Sequence, residues 1–293
     1  MDGEWACGCT LRLLTKNQLI RLVAVAALGL GLGACQPDTA TSETSAARGS
    51  AAAPVLTPGP WRGVLAVQGQ EIPFLFEVDT LNTGKQLTVT LINGEQRQTF
   101  KDIHAAADST IVRFGTRSAL VLRADSADVL KGFWIRHDAK TTHRVPVVAY
   151  PNNIGSTLFF SEATMYKPVV PILGMGGDKQ STFGATFTNA EGKPYSAVGL
   201  FKYDKFGTVN GTLLTTTGDH HYLAGDIVTR QNQPMLMLSA FDGNQLLLLT
   251  AKLVKVDLPS LSVSELMGDF YSSKCGHQTW NAVLEPNTKL PKS

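Results

Sequence analysis

The segment Leu87-Thr88-Val89-Thr90-Leu91-Ile92-Asn93-Gly94 decides the fold class. Its first six residues are apolar or β-branched, which is typical of a strand. Asn-Gly then favours a two-residue hairpin turn, because both residues tolerate positive φ. Outward from this segment, further runs rich in Val, Leu, Phe and Thr alternate with turn signals, and no long segment has helical periodicity. Asp242-Gly243 is one further tight-turn candidate, and the run Leu246 to Leu249 that follows it is predicted to be a buried strand, far too short to cross a membrane. The strands predicted in the first half cover residues 72–78, 87–92, 109–114, 119–123 and 131–136.

The second half of the chain repeats the order of the first. The segment Trp61-Arg62-Gly63-Val64-Leu65 has a counterpart in Thr182-Phe183-Gly184-Ala185-Thr186. Leu130-Lys131-Gly132-Phe133-Trp134 has one in Leu266-Met267-Gly268-Asp269-Phe270, and Asp102 corresponds to Asp226 between them. Each half then holds about eight strands in meander order. The sequence therefore predicts an all-β fold, an antiparallel meander of two related up-and-down units that are barrel- or sandwich-like.

The N-terminal segment has the form of a lipoprotein signal peptide. An apolar run over residues 22–31 follows basic residues and leads into Leu32-Gly33-Ala34-Cys35, which resembles a lipobox. The run is too short to span a bilayer, which needs about 20 apolar residues. We therefore expect the thiol of Cys35 to carry a diacylglycerol that attaches the mature chain to the bilayer. This predicts a bacterial envelope protein on the outer or inner membrane, facing the periplasm or the exterior.

Composition divides the chain into five parts. We expect a signal peptide at residues 1–34 and the lipidated cysteine with a flexible tether at residues 35–58, since this tether has too few large apolar residues to fold. A first β unit at 59–150, a connection at 151–180 and a second β unit at 181–293 follow. The formal net charge of +2 is nearly balanced, which gives no electrostatic signal for nucleic acid.

No strong catalytic or cofactor motif occurs in the sequence. It lacks Gly-x-Ser-x-Gly, a Walker loop, His-Glu-x-x-His and Cys-x-x-Cys, so we expect neither an enzyme nor a bound cofactor. Cys275 is the only cysteine that remains beside Cys35 after processing, which excludes an internal disulfide once Cys35 is acylated. Cys275 and His277 fall on one face of a strand and would need a further ligand to hold a metal, so a solvated histidine beside a thiol is the simpler interpretation.

Several further residues are candidates for binding. His220 and His221 are adjacent, so their side chains point to opposite faces of a strand and do not share one ion without distortion. Most aromatic residues belong to the core, but some could line a barrel mouth and bind a small apolar ligand, and the sequence does not distinguish the two groups. The candidate binding or redox residues are Cys275, His277, Trp280, His220 and Tyr222.

The second half resembles the β domain that precedes a TlpA-like thioredoxin domain in bacterial envelope lipoproteins. The resemblance rests on Val209-Asn210-Gly211-Thr212-Leu213-Leu214, on Gly268-Asp269-Phe270-Tyr271-Ser272 and on Thr279-Trp280-Asn281-Ala282-Val283. The first half fits through Ile72-Pro73-Phe74 and through residues 130–134. In that family the redox chemistry belongs to a Cys-x-x-Cys on the thioredoxin fold. No position here matches it, and the chain stops at Ser293, where that domain would begin.

The resemblance implies a lipid-anchored, non-catalytic β module that accompanies TlpA-like thiol–disulfide oxidoreductases, with a thioredoxin-fold envelope protein as its partner. Two alternatives remain open. One is a redox-active chain, or a split part of a thioredoxin-family reductase, that works through Cys275. The other is a β-barrel lipoprotein that binds a small apolar ligand.

Overall fold

Strands make up nearly all of the regular structure in the computed structural model of the chain. The structure describes residues 56–81, 86–106, 108–152, 167–168, 179–203, 208–215, 220–257, 262–273 and 276–285. No helix occurs in these ranges, and so none that could span a membrane. The strands are β1 (Gly59–Val67), β2 (Gln70–Leu81), β3 (Gln86–Asn93), β4 (Gln96–Phe100), β5 (Ile103–Ala106), β6 (Ser109–Arg113), β7 (Ser118–Ser126), β8 (Val129–His137), β9 (Thr142–Pro151), β10 (Lys167–Pro168), β11 (Lys179–Thr188), β12 (Pro194–Tyr203), β13 (Thr208–Thr215), β14 (His220–Arg230), β15 (Gln233–Phe241), β16 (Leu246–Asp257), β17 (Ser262–Ser272) and β18 (Gly276–Leu284).

The strands form two antiparallel sheets, one from each half of the chain. In the second sheet β11 to β18 pair in sequence order, and β18 pairs back with β11, so the eight strands close into a barrel. The first sheet has the order β4-β3-β2-β1-β9-β8-β7-β6-β5, and β1 pairs with β9 in the same way. The predicted all-β fold of two up-and-down units is confirmed. We call the two sheets the first and the second barrel.

The two barrels correspond strand for strand when β4 and β5 are counted as one bent strand. Gly63 then lies on the strand that matches that of Gly184, and Gly132 on the strand that matches that of Gly268. An added Cβ at Gly132 would lie 1.8 Å from the carbonyl oxygen of Val121, and one at Gly268 would lie 1.8 Å from that of Thr250. Both glycines therefore permit the same close approach of a neighbouring strand, which supports the equivalence drawn from the sequence.

The Asn-Gly turn lies one residue further along the chain than the sequence suggested. Asn93 pairs with Gln96 at the end of the β3–β4 ladder, so the turn residues are Gly94 and Glu95. The φ of Gly94 is positive, at 58°, whereas the φ of Glu95 is not positive. Only the first turn position thus needs the conformational freedom of glycine. The hairpin itself is present as predicted.

The break between β4 and β5 distinguishes the first barrel from the second. In the second barrel β14 pairs with β13 through His220 to Asp226 and with β15 through Ala224 to Arg230, so both neighbours share its central residues. In the first barrel β4 pairs with β3, and β5 pairs with β6. Lys101 and Asp102 between them belong to no strand, and the N–H of Ile103 donates to the carbonyl oxygen of Lys101 at 3.1 Å, which closes a tight bend at Asp102. Within the described residues, β4 therefore has a strand on one side only.

Candidate functional site

Side chains fill the interior of both barrels. The first core holds aromatic and aliphatic residues such as Phe74, Phe76 and Trp134, each at most 2% exposed. The second is built around Phe183, Phe201 and further residues of β11 to β18. Protein interiors of this kind are close-packed and leave little room for a ligand. A binding site is therefore to be sought outside the two cores.

The last residue of β15 lies in the core of the first barrel. Phe241, at the end of β15, is 1% exposed and belongs to the first core although it lies on a strand of the second barrel. Its ring centroid lies 4.7 Å from that of Phe74, 5.6 Å from that of Phe114 and 5.3 Å from that of Trp134. The hairpin thus contributes a core residue to the first barrel.

Hydrogen bonds fix this hairpin in place. The side-chain amide of Asn93 donates to the carbonyl oxygen of Phe241 and accepts from its N–H, both at 3.0 Å. The indole N–H of Trp134 donates to the carbonyl oxygen of Gly243 at 2.7 Å, and the hydroxyl of Ser118 donates to Oδ1 of Asn244 at 2.7 Å. Buried hydrogen bonds of this kind are costly to leave unmade. They hold the two barrels in one arrangement.

The leucine run at residues 246–249 packs against both cores. Leu247 and Leu249 face the interior of the second barrel, whereas Leu246 and Leu248 belong to the first core. Alternate residues of a strand point to opposite faces, so one strand serves both cores. The sequence indicated a buried strand here, and all four leucines are buried.

A polar cleft of about 290 Å³ lies at the junction of the two barrels. We call it the junction cleft. The β3–β4 hairpin supplies part of its lining, and β14 and the β15–β16 hairpin supply the rest. The lining residues are Asn93, Gln96, Gln98, His221, Tyr222, Ala240, Asp242, Gln245 and Leu247. Its volume lies at the lower end of the range for small-molecule sites, about 300 Å³ upward.

Asp242 is the charged residue of this lining. Its Oδ1 accepts the backbone N–H of Asn244 at 2.8 Å and that of Gln245 at 2.6 Å, which closes the hairpin turn. Burial raises the pKa of the carboxyl above its usual 3.8, and these N–H groups offset the rise in part. The backbone N–H of Asp242 itself also lowers the pKa of the carboxyl.

The predicted candidate residues lie in different places. Tyr222 is 42% exposed and lines the junction cleft. His220 is the first residue of β14, and only its backbone is described. Cys35 and Cys275 lie outside the described residues. His221 lines the cleft, and the alternation along β14 puts its side chain on the face opposite to that of Tyr222.

The two other candidates lie on β18, away from the cleft lining. Trp280 is 3% exposed and donates its indole N–H to the carbonyl oxygen of Thr250 at 3.0 Å within the second core. His277 is exposed, with Nε2 at 2.7 Å from Oδ1 of Asp269 and its ring stacked on Tyr271 at 4.8 Å. Partial burial, and then the charge of Asp269, raise the pKa of the Tyr271 hydroxyl. Within the described residues, no three His, Cys, Asp or Glu side chains are grouped so as to hold a metal ion.

Sequence reasoning missed the glutamines of the junction cleft, Gln96, Gln98 and Gln245. Isolated glutamines in a β-rich chain resemble ordinary solvated strand positions. The cleft depends on the contact of two hairpins more than a hundred residues apart. The turn signals at Asn93-Gly94 and Asp242-Gly243 marked both hairpins but not their contact.

Comparison with known proteins assigns this chain to no family. No family model matches the chain, and no curated protein matches it either. Two solved structures align over most of their length. One is a protein of unknown function from the DUF3598 family of Nostoc punctiforme, at 11% identity over 79% of this chain and 96% of that one, with a TM-score of 0.26. The other is the Myxococcus xanthus hemagglutinin in complex with a mannopentaose, at 11% identity over 78% and 100%, with a TM-score of 0.19. These TM-scores are too low to support an inference.

Proposed function

We propose that this chain is a non-catalytic binding module of the bacterial cell envelope, anchored by a lipid on Cys35, that binds its ligand in the junction cleft. The observation that carries the proposal is the pairing of two filled barrels with a polar recess at their junction. The hydrogen bonds of Asn93 and Trp134 fix the hairpins that line this recess. A site held by rigid elements needs little ordering when it binds, which favours affinity.

The filled cores argue against a ligand inside either barrel. An apolar ligand would have to displace residues such as Phe201 or Trp134, each 1% exposed. The junction cleft instead offers amide, carboxylate, imidazole and phenol groups. Its chemistry suits a polar ligand better than the small apolar ligand of the second alternative.

Titration with small polar probes tests the cleft. Neutral disaccharides, blocked dipeptides and nucleosides, each at millimolar concentration, are added separately while backbone amide resonances are recorded. We expect at least one class to shift the amides of Gln98 and Gln245, and the Tyr222→Ala variant to weaken this response. Phe133→Ala is the matched control, since Phe133 is a 38% exposed aromatic residue outside the cleft lining. If no class moves these amides, the cleft is not a binding site.

The lipid anchor is tested separately. Cys35→Ser should abolish incorporation of labelled palmitate and leave an unprocessed or soluble precursor. Equal labelling of the variant and the wild type would contradict the anchor.

For the partner, we propose a thioredoxin-fold protein of the envelope, and the support is the resemblance to TlpA-associated domains. Reducing a substrate disulfide normally needs a second thiol that resolves the mixed disulfide. The purified chain should therefore not accelerate insulin reduction by dithiothreitol. An acceleration that disappears in Cys275→Ser would instead establish the redox-active alternative.

A further inference from the structure

The free side of β4 lies next to the junction cleft. Gln96 and Gln98 of β4 line the cleft, and no described strand pairs with β4 on the side away from β3. The matching strand β14 has neighbours on both sides along Ala224 to Asp226. The bend at Lys101 and Asp102 thus opens the first barrel beside a polar recess.

The register of the β3–β4 hairpin shows which backbone groups the free edge presents. In a two-residue hairpin the residues that flank the turn form a hydrogen-bonded pair, and such pairs alternate with non-hydrogen-bonded ones. Asn93 and Gln96 flank the turn, so Gln96, Gln98 and Phe100 bond to β3. The N–H and C=O groups of Arg97 and Thr99 therefore point away from β3, toward the free edge.

The side chains around this edge favour an uncharged polar ligand. Gln96 and Gln98 present amides, and Gln245 adds a third from the β15–β16 hairpin. No Lys or Arg occurs in the described lining, so a phosphate or carboxylate ligand would find no counter-charge. The Arg97 guanidinium lies 3.5 Å from the Glu77 carboxylate, which gives it a partner of its own.

We propose that the junction cleft takes an extended peptide segment, which pairs with the free edge of β4. The inference rests on the proposed binding function of the cleft and names its ligand. Alternate backbone donors and acceptors about 7 Å apart match the spacing of an extended chain. The peptide bonds to the backbone of Arg97 and Thr99, and its uncharged polar side chains face Gln98, Gln245 and Asp242 of the cleft lining.

A pair of variants at Thr99 tests the pairing. Thr99→Pro removes the N–H that points to the free edge, and proline is tolerated on an edge strand at such a position. Thr99→Val keeps that N–H. Both variants lose the hydroxyl contact of Thr99 with Thr90 at 2.9 Å, so they differ chiefly in the edge donor and in the restricted φ of proline. Thermal unfolding of each variant establishes that it is folded.

The probe is a peptide selected from a random hexapeptide display library on the full chain. We expect the selected peptide to bind the wild type and Thr99→Val within about twofold of each other. Thr99→Pro should bind about fivefold more weakly, since one lost hydrogen bond costs on the order of 1 kcal/mol. Equal binding to Thr99→Pro, or a library that yields no binder, overturns the proposal.

Hydrogen exchange of the wild type gives a second measurement that needs no variant. The amides of Arg97 and Thr99 should become protected when the peptide binds, while those of Gln96 and Gln98 are already bonded to β3 and should change little. Absence of this alternation overturns strand pairing even if the peptide binds. If disaccharides or nucleosides, but no peptides, shift the cleft resonances, the peptide inference fails and the binding function stands. If nothing shifts them, both fail.

Discussion

At the scale of single residues, glycines such as Gly132 and Gly268 allow neighbouring strands to approach closely. A Cβ on Gly268 would lie 1.8 Å from the carbonyl oxygen of Thr250, which belongs to the backbone and has little room to move. We expect Gly268→Ala to lower the free energy of unfolding by about 3 kcal/mol, at the upper end of the range for overpacking, and Gly132→Ala to behave alike. Denaturant titration measures both effects.

Gly184→Ala is the matched control. Its added Cβ would meet the Glu285 carboxylate at 2.8 Å, and that flexible side chain can move aside. We expect a change within about 1 kcal/mol. Equal losses in Gly184→Ala and Gly268→Ala would show that the backbone contact is not the cause.

Asp242 should leave a signature in the pH dependence of stability. Because burial raises its pKa above 3.8, the folded protein holds this proton more tightly than the unfolded chain does. The contribution of this group to stability therefore increases as the pH falls from neutral through the folded pKa toward 3.8. Asp242→Asn lacks this gain. The melting temperature of the wild type relative to Asp242→Asn should rise on acidification, whereas a constant or falling difference would contradict the raised pKa.

Residue patterns predicted the local environment better than the distant contacts. Trp134 and Phe270 each lie two residues after a matched glycine, and they are 1% and 6% exposed on corresponding strands. The period-2 geometry of a strand made this predictable. The indole of Trp134, however, bonds to Gly243 across 109 residues, and nothing in the local sequence indicates that partner.

At the scale of elements, the β15–β16 hairpin joins the barrels through one aromatic side chain. Phe241→Ala removes contacts with Phe74, Phe114 and Trp134, and it should lower the free energy of unfolding by about 3–5 kcal/mol. Phe133→Ala removes a 38% exposed ring and should cost less than about 1 kcal/mol. The two variants are compared by denaturant titration. A loss in Phe241→Ala no larger than that in Phe133→Ala would contradict the role of the hairpin in the first core.

The sequence predicted the β15–β16 turn and the strand that follows it, but not that this strand packs against both cores. The turn at Asp242-Gly243 and the buried strand at 246–249 both follow from local signals. The run at 246–249 consists of four leucines, so the usual alternation of apolar and polar residues is missing there. Without it the sequence does not show that Leu247 and Leu249 face one core while Leu246 and Leu248 face another.

At the scale of the whole molecule, the shared core predicts joint unfolding. The first core includes Ala224, Met237, Phe241 and Leu248 from the second barrel, so melting of either barrel would expose apolar surface of the other. Calorimetry of the chain should show one transition with equal calorimetric and van't Hoff enthalpies. Two resolved transitions would show that the barrels are stable independently.

The sequence predicted the all-β class, the two meanders and their common strand order, because alternation, turn residues and the repeat are local or periodic signals. It did not predict the open edge at β4. Lys101 and Asp102, where the chain bends, have the composition of an ordinary exposed strand segment. The break between β4 and β5 is recognised only by comparison with the matching strand β14, which pairs with both β13 and β15 along its central residues. The predicted signal peptide and residues 35–55 of the predicted tether lie outside the described residues, whereas Leu56, also assigned to the tether, is 0% exposed and belongs to the first core.

The insertion of Phe241 also has a consequence during protein synthesis. The last strand of the first barrel ends at Pro151. The aromatic ring that completes the first core belongs to Phe241, so the ribosome must synthesise residues 152–241 before this ring is present. At about 5–20 residues per second, synthesis of this stretch takes roughly 5 to 20 seconds. During this time Phe74, Phe114 and Trp134 lack their contact with the ring of Phe241. During that interval the half-made chain is a natural client for chaperones that hold exposed apolar surface.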